Sequence, residues 1–172
     1  MDFETAGPTP STEADGRIQE FWQLAKGRAH VGDLDVVLGR GWDEALAPPA
    51  WAFGDSPAMA DQLVELVLAG RKTATTVLKQ EYDDAGEPLP HVGDLGIVLD
   101  GSGRPRALVR DAAVLILPFG DVTHAQAAAE GEGDGSLDGW RDGHRAFWAR
   151  AGYEVDDTSL VVWEKLAVVF PV

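Results

Sequence analysis

In "LVLAGRKTATTVLKQEY" (Leu66–Tyr82) two adjacent cations, Arg71 and Lys72, are followed by three hydroxyls, Thr73, Thr75 and Thr76. An amine within reach of a hydroxyl can act as its base and turn a weak nucleophile into one that attacks a carbonyl. Lys72 and Thr75 are the pair with that chemistry. On a regular strand, residues three apart face opposite sides, so the pair needs the chain to bend just after Gly70. The competing account is structural: two cations complement the negative end of a preceding helix, at about 0.3–1 kcal/mol each.

A second set of reactive groups lies in "AAAEGEGDG", where Glu130, Glu132 and Asp134 alternate with Gly131, Gly133 and Gly135. One of these carboxylates can serve as a general base or bind an amine. The plainer alternative is a solvated loop before a helix whose positive end favours acids. Trp51 and Phe53 flank a turn, where aromatic rings either stack on a planar base or cover a core. His144 lies on an otherwise apolar helical stripe, where a satisfied core histidine is the commoner role. His30, His91 and His124 sit in turns, and no HExxH spacing exists, so no metal is expected. The chain also lacks GxSxG, the phosphate-binding GxxxxGK[ST] and a strand-borne GxGxxG, so no cofactor is expected either.

The elements that would position these groups follow from periodicity. Arg17–Arg28 reads as a helix with Ile18, Phe21, Trp22 and Ala25 on one face. "DSPAMADQLVELVLAG" reads as a complete helix, capped by Asp55 or Ser56, with Pro57 in its first turn and Gly70 as a left-handed stop. Arg71–Lys79 is strand-like, "DDAGEPLPHVGD" has turn chemistry, and "LGIVLD" is a second strand. "DGSG" marks a hairpin into the run Arg106–Leu117. "THAQAAAEGEGDG" reads as a connection, a helix opens at Ser136, and "SLVVWEKLAVVF" closes the chain as a strand. "HVGDLDVVLG" at His30 echoes "HVGDLGIVLD" at His91, but the flanks differ, so two similar turn-to-strand junctions account for it. Hairpin-type links among helices predict an α+β domain built on a small, curved, mostly antiparallel sheet.

The bulk numbers set limits. At 172 residues and 45% apolar, the chain suits a single domain over residues 16–172, with a loose tail over residues 1–15. Its formal net charge of −15 repels phosphate backbones on average, which disfavours broad binding to nucleic acid or anionic membranes. It leaves room for a local basic groove made by Arg71, Lys72, Lys79, Arg104, Arg106 and Arg110. The absence of cysteine excludes disulfides and thiolate nucleophiles and points to a cytosolic setting. No run approaches the roughly 18–20 apolar residues of a membrane helix.

"AWAFGDSPAMADQLVELVLAGRKTATT", "EYDDAGEPLPHVGDLGIVLD", "AAAEGEGDGSLDGWRDGHRAFW" and "LVVWEKLAVVF" together resemble the ASCH domain family, over about Phe21 to Val169. The resemblance implies a PUA-like fold, a small β-barrel flanked by helices. It also implies one of several activities: RNA binding, RNA cleavage, or, as in one bacterial branch, amide hydrolysis on N(4)-acetylcytidine. Carried over residue by residue, that branch's lysine falls on Lys72, its threonine on Thr75 and its glutamate on Glu132, with Glu130 as the alternative. Arg71, Thr73, Glu130, Trp51 and Phe53 are then the candidates for substrate binding. The branch has an arginine two residues beyond the threonine, where this chain has Val77. The expected ligand is a small nucleoside-like amide. RNA in the local groove and a non-catalytic modified-base sensor are the alternatives. Two assignments of the base stay open: Lys72 when neutral, or Glu132 with a cationic Lys72 stabilising the oxyanion.

Overall fold

The apolar run Leu160–Phe170 becomes a strand paired on both of its edges within the sheet. The structure, a computed structural model, describes residues 12–28 and 46–171. In chain order it contains α1 (Thr12–Arg28), β1 (Ala50–Ala52), α2 (Pro57–Leu68), β2 (Ala74–Leu78), α3 (Lys79–Ala85), β3 (Leu95–Leu99), β4 (Pro105–Pro118), a 3-10 turn (Phe119–Asp121), α4 (His124–Ala128), α5 (Leu137–Arg150) and β5 (Leu160–Phe170). The strands make one curled half-barrel sheet in the order β1-β3-β4-β5-β2. β5 runs antiparallel to both β4 and β2, and β3 runs antiparallel to β4.

Alternation along the strands divides the core. Ile97 and Leu108 turn to one face, where Trp22 and Ala25 of α1 pack on them. Val98, Ala107 and Val109 turn to the other, against Phe53 and the Leu63, Val64 and Val67 stripe of α2. A third cluster joins Leu78 and Val161 to Phe119, Trp140 and Trp148 and so fixes α5 beside β2.

The expected helix, hairpin and closing strand are all present, and the sheet is mostly antiparallel. Four details depart from the sequence reading. β1 pairs with β3 in parallel, through Ala50–Ala52 against Ile97–Leu99. Lys79–Ala85, read as the end of a strand and a turn, is helical: Glu81 accepts from Leu78 N at 3.2 Å and Lys79 pairs with Asp83 four residues on. His124–Ala128 is a short helix because Thr123 and Gln126 form a reciprocal cap. Helix α1 starts at Thr12, so residues 12–15 are not loose tail. The rest of that tail, and the His30 segment, lie outside the described residues. Among the described residues no helix is long and apolar enough to cross a membrane.

Candidate functional site

The end of α2 sets the position of Lys72. Ser56 caps the helix by accepting from Met59 N at 3.3 Å, and Gly70 ends it with φ +69°. The Arg71 and Lys72 amides both bond to Leu66 O, so the chain wraps under the helix before β2 begins. That bend carries the Lys72 side chain inward to 1% exposure. Thr73 then ties the segment to the α4–α5 connection, giving two bonds to Ala129 O, from its amide at 2.7 Å and its hydroxyl at 3.0 Å.

The connection presses back. Gly131 has φ +67°, and a Cβ there would lie 2.2 Å from Arg71 O. Glycine alternates with glutamate here because the backbone between Glu130 and Glu132 must lie directly on the lysine segment. The two flanking carboxylates both reach the ammonium: Lys72 Nζ is 2.5 Å from Glu132 Oε1 and 3.4 Å from Glu130 Oε2.

Glu130 is itself 1% exposed and accepts from several donors. Thr76 Oγ1 donates to Oε1 at 2.6 Å and Trp140 Nε1 at 2.8 Å. His144 Nε2 lies 3.5 Å from Oε2. Burial alone pushes the Glu130 carboxyl up. The His144 contact, the Lys72 charge and the Thr76 hydroxyl outweigh burial and hold it below the usual glutamate range. Glu132 is about one-third exposed and opens to solvent.

These groups form the floor of a cavity of about 380 Å³. Its walls include Phe53 and Met59 on one side and Trp140, His144 and Phe147 on the other. The Phe53 ring lies 5.0 Å from Lys72 Nζ. Gly139 and Gly143 of α5 also line it, and a Cβ on Gly143 would meet nothing within 4 Å. At the rim Arg150 Nε pairs with Asp55 Oδ2 at 2.8 Å and bridges the ends of α5 and α2.

Lys72, Glu130, Glu132 and Phe53 are thus gathered at one cavity, and Thr75 lines it too. Among the described residues no hydrogen bond joins Thr75 to Lys72 or to either glutamate; Thr76 is the threonine bonded into the cluster. Trp51, Arg71 and Thr73 do not line the cavity. Trp51 packs edge-on to Phe53 at 4.7 Å, Arg71 is exposed, and Thr73 is bonded to Ala129. Sequence reasoning left out Thr76, Trp140 and Phe147 and gave His144 to the core. The signal was the spacing Trp140–His144–Trp148, which places an imidazole between two indoles, stacked on Trp140 at 4.1 Å and edge-on to Trp148 at 5.2 Å between centroids.

A second group of acids comprises Glu164 of β5, Asp111 of β4 and Asp94 just before β3. Glu164 stands opposite Thr75 in register and accepts from Tyr82 Oη at 3.3 Å. Burial, then the nearby Asp111 charge, pushes Glu164 up to about 8; burial and Asp94 push Asp111 up to about 6. Among the described residues no group of His, Cys, Asp and Glu is arranged to hold a metal ion.

The ASCH domain family matches residues 49–170. The crystal structure of an Enterococcus faecalis protein is 32% identical, with a TM-score of 0.73 over 89% of this chain and 88% of that one. That of an ASCH domain from Lactobacillus crispatus is 29% identical, with a TM-score of 0.74 over 94% of this chain and 99% of that one. No curated protein matches the chain significantly. With the bend after Gly70, the curled sheet and a family match over well more than half its length, the chain belongs to the ASCH domain family.

Proposed function

We propose that the cavity is the active site of a hydrolase that cleaves a small, nucleoside-like amide. One observation carries this reading: a buried ammonium bridges to a partly exposed carboxylate at the floor of an aromatic-walled cavity of about 380 Å³. That volume falls in the usual range for small-ligand pockets, about 300–1,000 Å³. Flat rings suit walls made of Phe53, Trp140 and Phe147.

Lys72 Nζ lies between two carboxylates, and in this reading it stabilises developing negative charge rather than acting as the base. Glu132 is then the base. In the proposed reaction Thr75 Oγ attacks the amide carbonyl carbon and its proton passes to Glu132. The oxyanion that forms faces the Lys72 ammonium. Collapse breaks the C–N bond, and the amine leaves with the proton that Glu132 held. Water, deprotonated by Glu132, attacks the acyl ester; the carboxylic acid departs and Thr75 regains its proton.

The basic groove of the RNA alternative has less support. Lys72 is buried, Lys79 is bound to Asp83, and Arg106 is bound to Glu65. The test is a panel of acylated nucleosides against wild type, Thr75→Val and Glu132→Gln. Turnover by wild type that falls at least 100-fold in both variants is expected. Tight, steeply salt-dependent binding of single-stranded RNA with no amide turnover would replace this reading with nucleic-acid binding. Ligand binding without turnover would make the pocket a sensor.

A further inference from the structure

The Lys72 ammonium sits nearer the wrong carboxylate. Glu130 is almost fully buried and depends on protein groups for compensation, whereas Glu132 can be solvated by water. A buried charge without a partner costs far more than an exposed one, so simple electrostatics would draw Nζ onto Glu130. It lies instead 2.5 Å from Glu132 and 3.4 Å from Glu130.

The other partners of Glu130 account for the inversion. Oε1 is taken by Thr76 and Trp140, which leaves Oε2 as the oxygen that competes for the ammonium. His144 Nε2 stands 3.5 Å from that oxygen, and its Nδ1 is 2.9 Å from the Trp140 carbonyl. Each ring nitrogen therefore faces an acceptor, and a protonated ring can donate to both. The indoles of Trp140 and Trp148 hold the ring in that orientation. The charged groups around it are Glu130 and Glu132 from the α4–α5 connection, Lys72 from the segment after α2, and Arg150 on its own helix. Arg150 is bound to Asp55, while Arg141 and Arg145 are bound to Gly120 O and Asp157.

We infer that His144 is a positioning residue of the site: by sharing Glu130 Oε2 with Lys72, it lets the ammonium, still bonded to that oxygen at 3.4 Å, lie nearer Glu132 and orient it at the cavity floor. Glu130 is the buried anchor of this chain and Glu132 its working end. The inference fits the proposed hydrolase, in which Glu132 is the base, but the position of the ammonium does not depend on that reading.

Two variants separate donation from packing. His144→Phe keeps an aromatic ring between the indoles and removes both N–H groups; His144→Gln keeps a donor near the place of Nε2. Crystal structures of the full chain at high resolution are the primary readout. In His144→Phe, Nζ is expected to move until it is closer to Glu130 than to Glu132. In His144→Gln it is expected to stay on Glu132. Thr76→Val, which takes a donor from Oε1 with little change of shape, shifts the ammonium in the same direction and serves if His144→Phe does not fold. On an acylated nucleoside, His144→Phe lowers kcat at least tenfold with KM within about twofold, and His144→Gln recovers most of it. An ammonium that stays on Glu132 in His144→Phe overturns the inference, as does one that stays there in Thr76→Val where His144→Phe does not fold. If wild type turns over no acylated nucleoside, the hydrolase reading fails, and the crystallographic result still decides the role of His144.

Discussion

Replacing Lys72 by Met keeps most of the side-chain volume and removes the cation shared by Glu130 and Glu132. Glu132 is one-third exposed and can turn to water. Glu130 cannot, because it is 1% exposed and fixed by Thr76 and Trp140. Breaking one side of a buried pair costs about 3–5 kcal/mol, because the charge left behind has no solvent to replace its partner. In a domain of this size each kcal/mol moves Tm by about 2–4 °C, so the loss at pH 7 is about 6–20 °C. The pH dependence follows from Glu130. Its carboxyl is held below the usual range, so its contribution to stability is complete above the unfolded value of 4.5 and is lost as pH falls through the folded value. The gap between Lys72→Met and wild type is therefore widest near neutrality and narrows as pH falls and the variant's buried Glu130 takes up a proton. Adding Glu130→Gln to Lys72→Met removes the stranded charge. The double variant should recover on the order of 1.5–3 kcal/mol relative to the sum of the singles in a urea-unfolding cycle. A Lys72→Met protein within about 1 kcal/mol of wild type at pH 7, with additive singles, would refute the account of a coupled buried cluster.

Glu164 should produce the opposite pH trend. A carboxyl raised to about 8 in the folded chain favours the protonated fold, so its contribution is full below about pH 4.5 and is lost as pH rises through about 8. Glu164→Gln is expected to raise stability by about 2–4 kcal/mol at pH 9 and by little at pH 5; equal Tm differences at the two pH values would contradict this. Gly143 has open space where a Cβ would be, and glycine inside a helix costs about 0.8–1 kcal/mol relative to alanine. Gly143→Ala should therefore stabilise the fold, as read by thermal melting. Gly143→Leu should block a small ligand from the cavity while leaving Tm close to that of wild type.

The parts of the fold visible in the sequence were those with a strong apolar period. Helix α2 carries a serine cap, a glycine stop and an apolar stripe that includes Leu63 and Val67, both buried, and each left a mark on the chain. Helix α3 left none, because "KQEYDDA" buries no residue and is held by a lysine–aspartate pair and a glutamate turned back to its own first amide. Periodicity finds buried faces, and α3 has none to find. The three-residue strand β1 is too short to show a period, and its parallel pairing depends on β3, which lies more than 40 residues further on. The site was visible as an inventory but not as a geometry. "GRKTATT" and "AEGE" contain Lys72, Glu130 and Glu132, yet nothing local tells which neighbouring threonine is bonded to the carboxylate. Alternation on β2 decides it: Ala74, Thr76 and Leu78 are buried and Thr75 stands opposite Glu164.

The balance of charge narrows what can reach the cavity. A chain at −15 holds polyanions away, and a cleft can reverse that only with cations free to face the ligand. Here the lysine at the cavity floor is spanned by two carboxylates, and the arginine at its rim is bound to Asp55. The ammonium at the floor is matched by two carboxylates, so the floor offers no net positive field to attract a phosphate. What it offers is local: an ammonium and a carboxylate 2.5 Å apart beneath aromatic walls. A neutral, planar substrate with a polarisable carbonyl can use both charges at once, one on the oxygen that becomes negative and one on the proton that must leave. A nucleic-acid backbone can use only the first and must approach against the charge of the whole surface. In the proposed hydrolase, the buried pair therefore polarises a small neutral ligand rather than holding a charged polymer.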